Sequence, residues 1–273
     1  MESFDPVSAA KALNAKRSYG QNFLIDQNFA DYEAEFANGK RVVEFGSGLG
    51  MLTIRLCKRA VSVVAVEKDP RLFHVLNNSF SSPNLRLINS DFFSLGENML
   101  GSYDIIIGNI PYNASSKLAI YLIQHGRNAV ICVQKEFVEH LLAKPKSDKY
   151  SRISVLSSLY LNVKILMGHV PAAYFFPKPK VDSSLIELTS ARMPGPEFRV
   201  ISALMSHKKK KIANAIIDSS KEIGFEKQNI ESAINLSKLP AKRPFEMAPE
   251  EIFASASEIS RILADFAVYN DTK

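Results

Sequence analysis

The sequence predicts an α/β fold, a mostly parallel sheet covered on both faces, followed by a small C-terminal helical domain. Three observations carry this. Short β-branched runs alternate with helical segments over the first two thirds of the chain, a glycine-rich turn follows the first of those runs, and no strand signal remains beyond residue 197. Strands alternating with helices are the pattern of parallel sheets whose connections cross over one face or the other.

Residues 1–40 read as a polar arm followed by helix, with Lys16 and Arg17 giving the arm a basic start. Residues 41–45 form a short apolar strand, 46–50 a glycine turn, and 51–58 carry helical spacing. Residues 61–66 are a β-branched run, and Pro70 opens the next helix at a position proline tolerates. Further strands are expected at 85–89, 104–108, 129–134, 163–169 and 185–188. Pro194, Gly195 and Pro196 mark 190–197 as a linker. It separates a domain spanning 1–189 from a helical domain at 198–273, with helical periodicity at 198–206, 211–217, 229–236 and 250–266.

With 273 residues, 46% hydrophobic and 23% charged, the chain can bury ample core without staples. Its two cysteines, Cys57 and Cys132, lie in apolar surroundings, which fits a reduced, cytoplasmic setting. No basic-then-apolar stretch opens the chain, so no signal peptide is expected, and its apolar runs are too short to span a bilayer. A net charge of +6 permits a nucleic-acid partner without requiring one.

The stretch Val42-Val43-Glu44-Phe45-Gly46-Ser47-Gly48-Leu49-Gly50 runs from strand through glycine turn toward helix, where backbone can approach a ligand closely. An NAD site would need a third glycine at the position Met51 occupies, so that spacing fails. A plain tight turn remains the competing reading. Glu67 ends the second strand, 21 residues after Gly46. A carboxylate there can accept both hydroxyls of a ribose, which suits NAD and S-adenosylmethionine alike. Asp91, after the third strand, can accept from the amine of a cofactor adenine or serve as a helix N-cap.

The fourth strand leads into Asn109-Ile110-Pro111-Tyr112, and ligands of open α/β sheets bind outside the carboxyl ends of the strands. This tetrapeptide resembles the Asn/Asp-x-Pro-aromatic signature of methyltransferases acting on planar nitrogens. An adenine amine has its lone pair delocalised into the ring. Acceptors at the Asn109 side-chain oxygen and the Ile110 carbonyl can hold both amine hydrogens and turn the lone pair toward a methyl donor. Pro111 fixes φ, and Tyr112 offers a flat face to an unstacked base. The competing reading is an ordinary strand-to-helix turn.

Four further segments resemble the KsgA-type ribosomal RNA adenine dimethyltransferases. They are Tyr19-Gly20-Gln21-Asn22-Phe23-Leu24-Ile25-Asp26; Tyr150-Ser151-Arg152-Ile153-Ser154-Val155; Phe175-Phe176-Pro177 with Lys178-Pro179-Lys180-Val181-Asp182-Ser183-Ser184; and the lysine-rich start of 208–216 with Asn214. The resemblance spans nearly the whole chain. It implies a Rossmann-like class I methyltransferase fold, S-adenosylmethionine as cofactor, and contacts to it from Asn22, Leu24, Gly46, Glu67, Asp91 and Asn109. Glu44 is implied near the methionine amino group, and no metal is expected. It also implies that Phe175 sandwiches the target base against Tyr112, with Phe176 as the alternative. Ile110 departs from the more usual leucine, and Arg243-Pro244-Phe245-Glu246 matches the family only loosely.

Lys208, Lys209, Lys210 and Lys211 follow His207 in the densest charge run of the chain. Such runs are usually solvated helix faces. The family's use of this domain to dock on the ribosomal subunit instead implies phosphate contacts, which position RNA without reading sequence. The expected activity is transfer of methyl groups to N6 of two adjacent adenosines near the 3′ end of small-subunit rRNA, within a pre-ribosomal particle and with no obligate protein partner. Alternatives are a large-subunit methyltransferase of the erythromycin-resistance type, or a non-catalytic ribosome-assembly or transcription factor on the same fold. The intact Asn109 loop speaks against the latter.

Overall fold

The computed structural model describes residues 21–271 and, before them, Ser8 alone. Lys16, Arg17, Tyr19 and Gly20 lie outside the described residues. The chain divides into two compact units. The first comprises Met1–Leu118, Arg127–Val138 and Val163–Thr189, and the second Ala119–Gly126, Glu139–Asn162 and Ser190–Lys273.

The first unit is built on a seven-stranded sheet. Its strands are β2 (Arg41–Phe45), β3 (Ser62–Glu67), β4 (Leu85–Asn89), β5 (Ile105–Asn109), β6 (Ala129–Gln134), β7 (Leu161–Val170) and β9 (Ser183–Ser190), in the order β4-β3-β2-β5-β6-β9-β7. The pairs β4-β3, β3-β2, β2-β5 and β5-β6 are parallel, and β9 runs antiparallel to β6. The central strands are apolar on both faces. Val42, Val43, Ile105, Ile106, Ile107 and residues 129–133 are buried, as expected where helices cover both sides. The chain order reverses between β2 and β5, so the carboxyl ends of β2, β3 and β5 open onto one crevice.

Helix α1 (Gln27–Glu35) starts where Asp26 accepts the Phe29 N–H. Helix α2 (Thr53–Cys57) follows the glycine turn, and α3 (Pro70–Ser79) begins with Asp69 as N-cap and Pro70 in its first turn. A short α4 (Glu97–Leu100) precedes β5, and α5 (Ser115–His125) follows it. One feature carries no local signal in the sequence. The two-residue strands β1 (Phe23–Leu24) and β8 (Phe175–Phe176) pair antiparallel, Phe23 with Phe176 and Leu24 with Phe175. Ile25 N–H extends the contact by donating to Tyr174 O at 2.8 Å.

The second unit is helical. It contains α7 (Arg152–Tyr160), α8 (Glu197–Ser206), α9 (Ile212–Asp218), α10 (Ser220–Ile223), α11 (Lys227–Leu236) and α12 (Pro249–Asp271), while α6 (Lys135–Leu141) runs from the first unit into the second. Buried phenols join its distant segments. Tyr150 donates to Met247 O at 2.9 Å and Tyr160 to Glu197 Oε1 at 2.8 Å. Among the described residues no helix is long and apolar enough to cross a membrane.

Candidate active site

A cavity of about 300 Å³ opens at the carboxyl ends of β2, β3 and β5. Asn22, Leu24, Gly46, Glu67, Asp91, Asn109, Tyr112 and Phe175 all line it. They come from distant stretches of sequence, so the fold brings together in one place every residue expected to serve cofactor or base.

The floor is the turn after β2. Gly46 has φ +77°, a conformation that L side chains rarely adopt, and a Cβ on it would meet nothing within 4 Å. Conformation, not space, therefore demands glycine there. At Gly50 both apply, with φ +83° and an added Cβ only 2.4 Å from Leu76 on α3.

Glu67 is buried at the end of β3. Its Oε2 accepts the Gly48 N–H and its Oε1 the Asp69 N–H, each at 2.8 Å. Burial pushes this carboxyl above its ordinary pKa, while the backbone donors pull the other way. Asp69 is in turn held by Arg71 Nη2 at 2.7 Å and Gln21 Nε2 at 3.0 Å. The Arg71 hydrogen bond is the main reason the Asp69 carboxyl drops to about 2. Asp91 does cap a 3₁₀ turn: Oδ1 accepts the Phe93 N–H at 2.9 Å, and Oδ2 pairs with Lys68 Nζ at 2.8 Å. The Lys68 bond holds its pKa below the ordinary value. Each Asp91 oxygen keeps a second lone pair for a ligand.

Asn109 ends β5. Its Nδ2 donates to Glu33 Oε2 at 3.1 Å, while its Oδ1 is buried without a partner. The following loop is held by Ile110 N–H to Cys132 O at 3.0 Å and Ala114 N–H to Pro111 O at 2.8 Å, leading into α5. Half-buried Tyr112 is hydrogen-bonded to Ser183, and burial is the main cause of its raised pKa. Behind the loop two glutamates are almost wholly buried. Glu33 is 0% and Glu44 1% exposed, and desolvation pushes each carboxyl up to about 8. Glu44 Oε2 accepts from Thr53 Oγ at 2.6 Å and lines the cavity.

Phe175 lines the cavity and sets its ring at 71° to Phe29, centroids 6.5 Å apart. Its neighbour Phe176 packs with Phe23, Leu49 and Leu72 and is not a lining residue. Strand alternation explains the split, since successive side chains of β8 point to opposite faces.

In the second unit the four lysines are unequal. Lys208 Nζ donates to Tyr150 O and sits over the Phe245 ring, and Lys210 pairs with Asp218 at 2.5 Å. Lys209 and Lys211 are exposed and form no ion pair among the described residues.

Sequence reasoning missed Glu33, Gln21, Lys68 and Lys117. Glu33 left a signal: it shares the buried face of α1 with Phe29, Ala30 and Ala34, an acid where the period calls for an apolar residue. Lys117, 4.2 Å over the Phe93 ring and lining the cavity, left none.

A sequence profile of the family described as ribosomal RNA adenine dimethylase matches residues 12–250. A protein of Methanopyrus kandleri named probable ribosomal RNA small subunit methyltransferase A is 33% identical over 267 residues, covering 92% of this chain and 94% of its own. One of Desulforapulum autotrophicum, named ribosomal RNA small subunit methyltransferase A, is 37% identical over 229 residues, covering 77% and 80%. Among solved structures, a dimethyladenosine transferase from Plasmodium falciparum superposes with TM-score 0.67 at 22% identity, covering 86% of this chain and 95% of that one. The 23S rRNA methyltransferase ErmE gives 0.58 at 23% identity, covering 89% and 100%. These two likenesses bear on fold alone, and the fold is that of class I methyltransferases. The length of the profile match, together with the relatives' identity over most of the sequence, establishes that the chain belongs to the ribosomal RNA adenine dimethylase family.

Proposed function

We propose that the chain transfers methyl groups from S-adenosylmethionine to N6 of two adjacent adenosines near the 3′ end of small-subunit rRNA. The observation that carries this is the Asn109 amide oxygen, buried and unpartnered, in a cavity that also holds the Glu67 carboxylate, Tyr112 and Phe175. A buried acceptor without a donor disfavours the folded state until a ligand supplies one. An adenine amine supplies it.

The cavity suits the cofactor on its own chemistry. The turn at Gly46 leaves open space where a side chain would stand, and Glu67 is a buried carboxylate that lines the cavity and keeps acceptor capacity beyond its backbone donors. Asn22, Leu24, Gly46, Glu67, Asp91 and Asn109 would hold the cofactor, Glu67 by the ribose hydroxyls and Asp91 by the adenine amine, with Glu44 near the methionine amino group. When bound, S-adenosylmethionine supplies a methyl group activated on a sulfonium.

The chain's own residues do the positioning. Tyr112 and Phe175 clamp the flipped adenine between flat faces. Asn109 Oδ1 and the Ile110 carbonyl accept the two amine hydrogens and draw the nitrogen toward a tetrahedral geometry. No general base is required beforehand, because the nitrogen becomes acidic once methylated. Alignment is therefore the protein's main contribution. Lys209 and Lys211 carry the phosphate contacts with least internal competition. This reading places the enzyme in the cytoplasm, on a small subunit under assembly.

The test is incubation with labelled S-adenosylmethionine and separated, unmodified small and large subunits, followed by mapping of the methylated nucleotides. Label on adjacent adenosines of small-subunit RNA is expected. Label confined to large-subunit RNA would move the chain to the erythromycin-resistance type, and no label on either would leave a non-catalytic factor.

A further inference from the structure

We propose that Glu33 is a positioning residue that sets which end of the Asn109 amide faces the cavity. The inference rests on the reading of Asn109 Oδ1 as acceptor for the target amine.

A side-chain amide is nearly symmetric in shape and asymmetric in chemistry. Rotating it by half a turn exchanges an acceptor for a donor at almost no steric cost. Packing alone therefore cannot keep Oδ1 toward a substrate, and something must distinguish the two ends. In this structure Glu33 does so. Its Oε2 takes the Asn109 Nδ2–H at 3.1 Å, which leaves Oδ1 as the end without a partner. With no proton on Oε2, whether Glu33 is ionised or protonated on Oε1, the amide turned the other way would set oxygen against oxygen and present N–H donors to an amine that needs acceptors.

Glu33 reaches Asn109 from another element. It lies on α1, 76 residues earlier in the sequence. Nothing about the helix calls for an acid at this place. The other buried residues of its face are Phe29, Ala30 and Ala34, and the side chain is 0% exposed. No salt bridge compensates it among the described residues, and the nearest acid on β2, Glu44, repels it. Burying a carboxyl in such surroundings opposes folding. An apolar side chain of similar length would serve the core better, so the acid is explained by what it does to its one hydrogen-bond partner. The arrangement also tolerates protonation. Its other oxygen, Oε1, has no partner, and with a proton placed there Oε2 still accepts. Glu33 does not line the cavity, so it touches no substrate and acts through Asn109.

The experiment compares Glu33→Met, Glu33→Gln, Asn109→Ala and the Glu33→Met/Asn109→Ala double variant in the full chain. Methionine keeps length and burial but removes the acceptor; glutamine keeps a carbonyl acceptor. We expect Glu33→Met to melt at or above the parent temperature and to bind S-adenosylmethionine nearly as the parent does. With cofactor saturating, its single-turnover methylation of small-subunit substrate should fall by roughly tenfold to a hundredfold, the scale for losing an orienting partner. Glu33→Gln should stay within about threefold of the parent, while the double variant should be no slower than Asn109→Ala, since the two residues act as one unit. Without cofactor, the Asn109 side-chain amide protons should show a hydrogen-bonded NMR signature in the parent and in Glu33→Gln, and lose it in Glu33→Met. A slow Asn109→Ala beside a Glu33→Met of parental rate would overturn the role of Glu33 and leave that of Asn109 standing. A parental rate in Asn109→Ala would overturn the underlying reading. Should Glu33→Met not fold, Glu33→Gln decides alone through rate and amide signature together: a folded variant that keeps the signature but is as slow as Asn109→Ala, or loses the signature at parental rate, overturns the proposal, and one that keeps both or loses both supports it.

Discussion

The Glu67 carboxylate accepts the Gly48 backbone N–H at 2.8 Å, and through its other oxygen the Asp69 N–H at the same distance. One side chain thus fastens the turn after β2 to the turn after β3, the two turns between which a nucleoside would lie. Glu67→Ala should loosen both. Cofactor affinity should fall by about ten- to a hundredfold, the scale for losing hydrogen bonds to a charged group, with the protein still folded. Calorimetric titration with S-adenosylmethionine and with NAD checks this. Binding of NAD alone would show that the cavity serves another cofactor.

The split between adjacent phenylalanines gives a second test. Phe175 lines the cavity and Phe176 packs on Phe23, Leu49 and Leu72. Phe175→Ala should slow single-turnover methylation by about tenfold or more at saturating cofactor, because the proposed base clamp would lose one face. Phe176→Ala should lower the melting temperature with a smaller effect on the rate of the folded fraction. The opposite ranking would move the stacking role to Phe176.

The lysines divide in the same way. Lys209 and Lys211 are exposed, whereas Lys208 donates to Tyr150 O and Lys210 pairs with Asp218. Replacing Lys209 and Lys211 together by glutamine should weaken RNA binding and flatten its dependence on log salt by roughly 1.5, with cofactor affinity unchanged. Lys208→Ala should cost stability as well. An unaltered salt slope in the double variant would identify the patch as solvated surface.

Stability should depend on pH in a defined direction. The Glu33 and Glu44 carboxyls are held up to about 8 by burial, so the folded chain keeps protons that the unfolded chain has released above its ordinary value of 4.5. Their contribution is fully present below that value and lost as pH rises toward 8. Asp69, held down to about 2, works in the opposite sense: its contribution is present above 3.8 and lost as pH falls toward 2. The melting temperature of the cofactor-free chain should therefore decline between about pH 5 and about pH 8. Glu33→Met should flatten the decline. A parent melting temperature that holds level over this range would show that the two acids are not kept protonated.

Much of the first unit was legible because its signals are local. The β-branched runs gave β2 to β6 within a residue or so, and Pro70 marked the start of α3. The strands β7 and β9 extend beyond their apolar centres, to Leu161–Val170 and Ser183–Ser190, since sheet pairing continues where hydrophobic alternation stops. The β1–β8 ribbon was not legible. Two residues per strand carry no periodicity, and nothing in either dipeptide announces a partner some 150 positions away. In the site, the ordered motifs named the lining residues, but not the contact that orients Asn109. A glutamate in a helix is assumed to face water, and only the fold shows that Glu33 does not.

The way the chain assembles its second unit bears on how this protein can be cut or grafted. A chain ending at Thr189 would keep Ala119–Gly126 and Glu139–Asn162 but lose the remainder of the unit they belong to. Tyr150 and Tyr160 would then surrender their acceptors at Met247 and Glu197, leaving two large phenols that must find water or a new partner. The helical unit is thus no detachable cassette. A chimera that exchanges C-terminal regions between relatives must carry the stretch around Arg152–Tyr160 with it, or repack those rings.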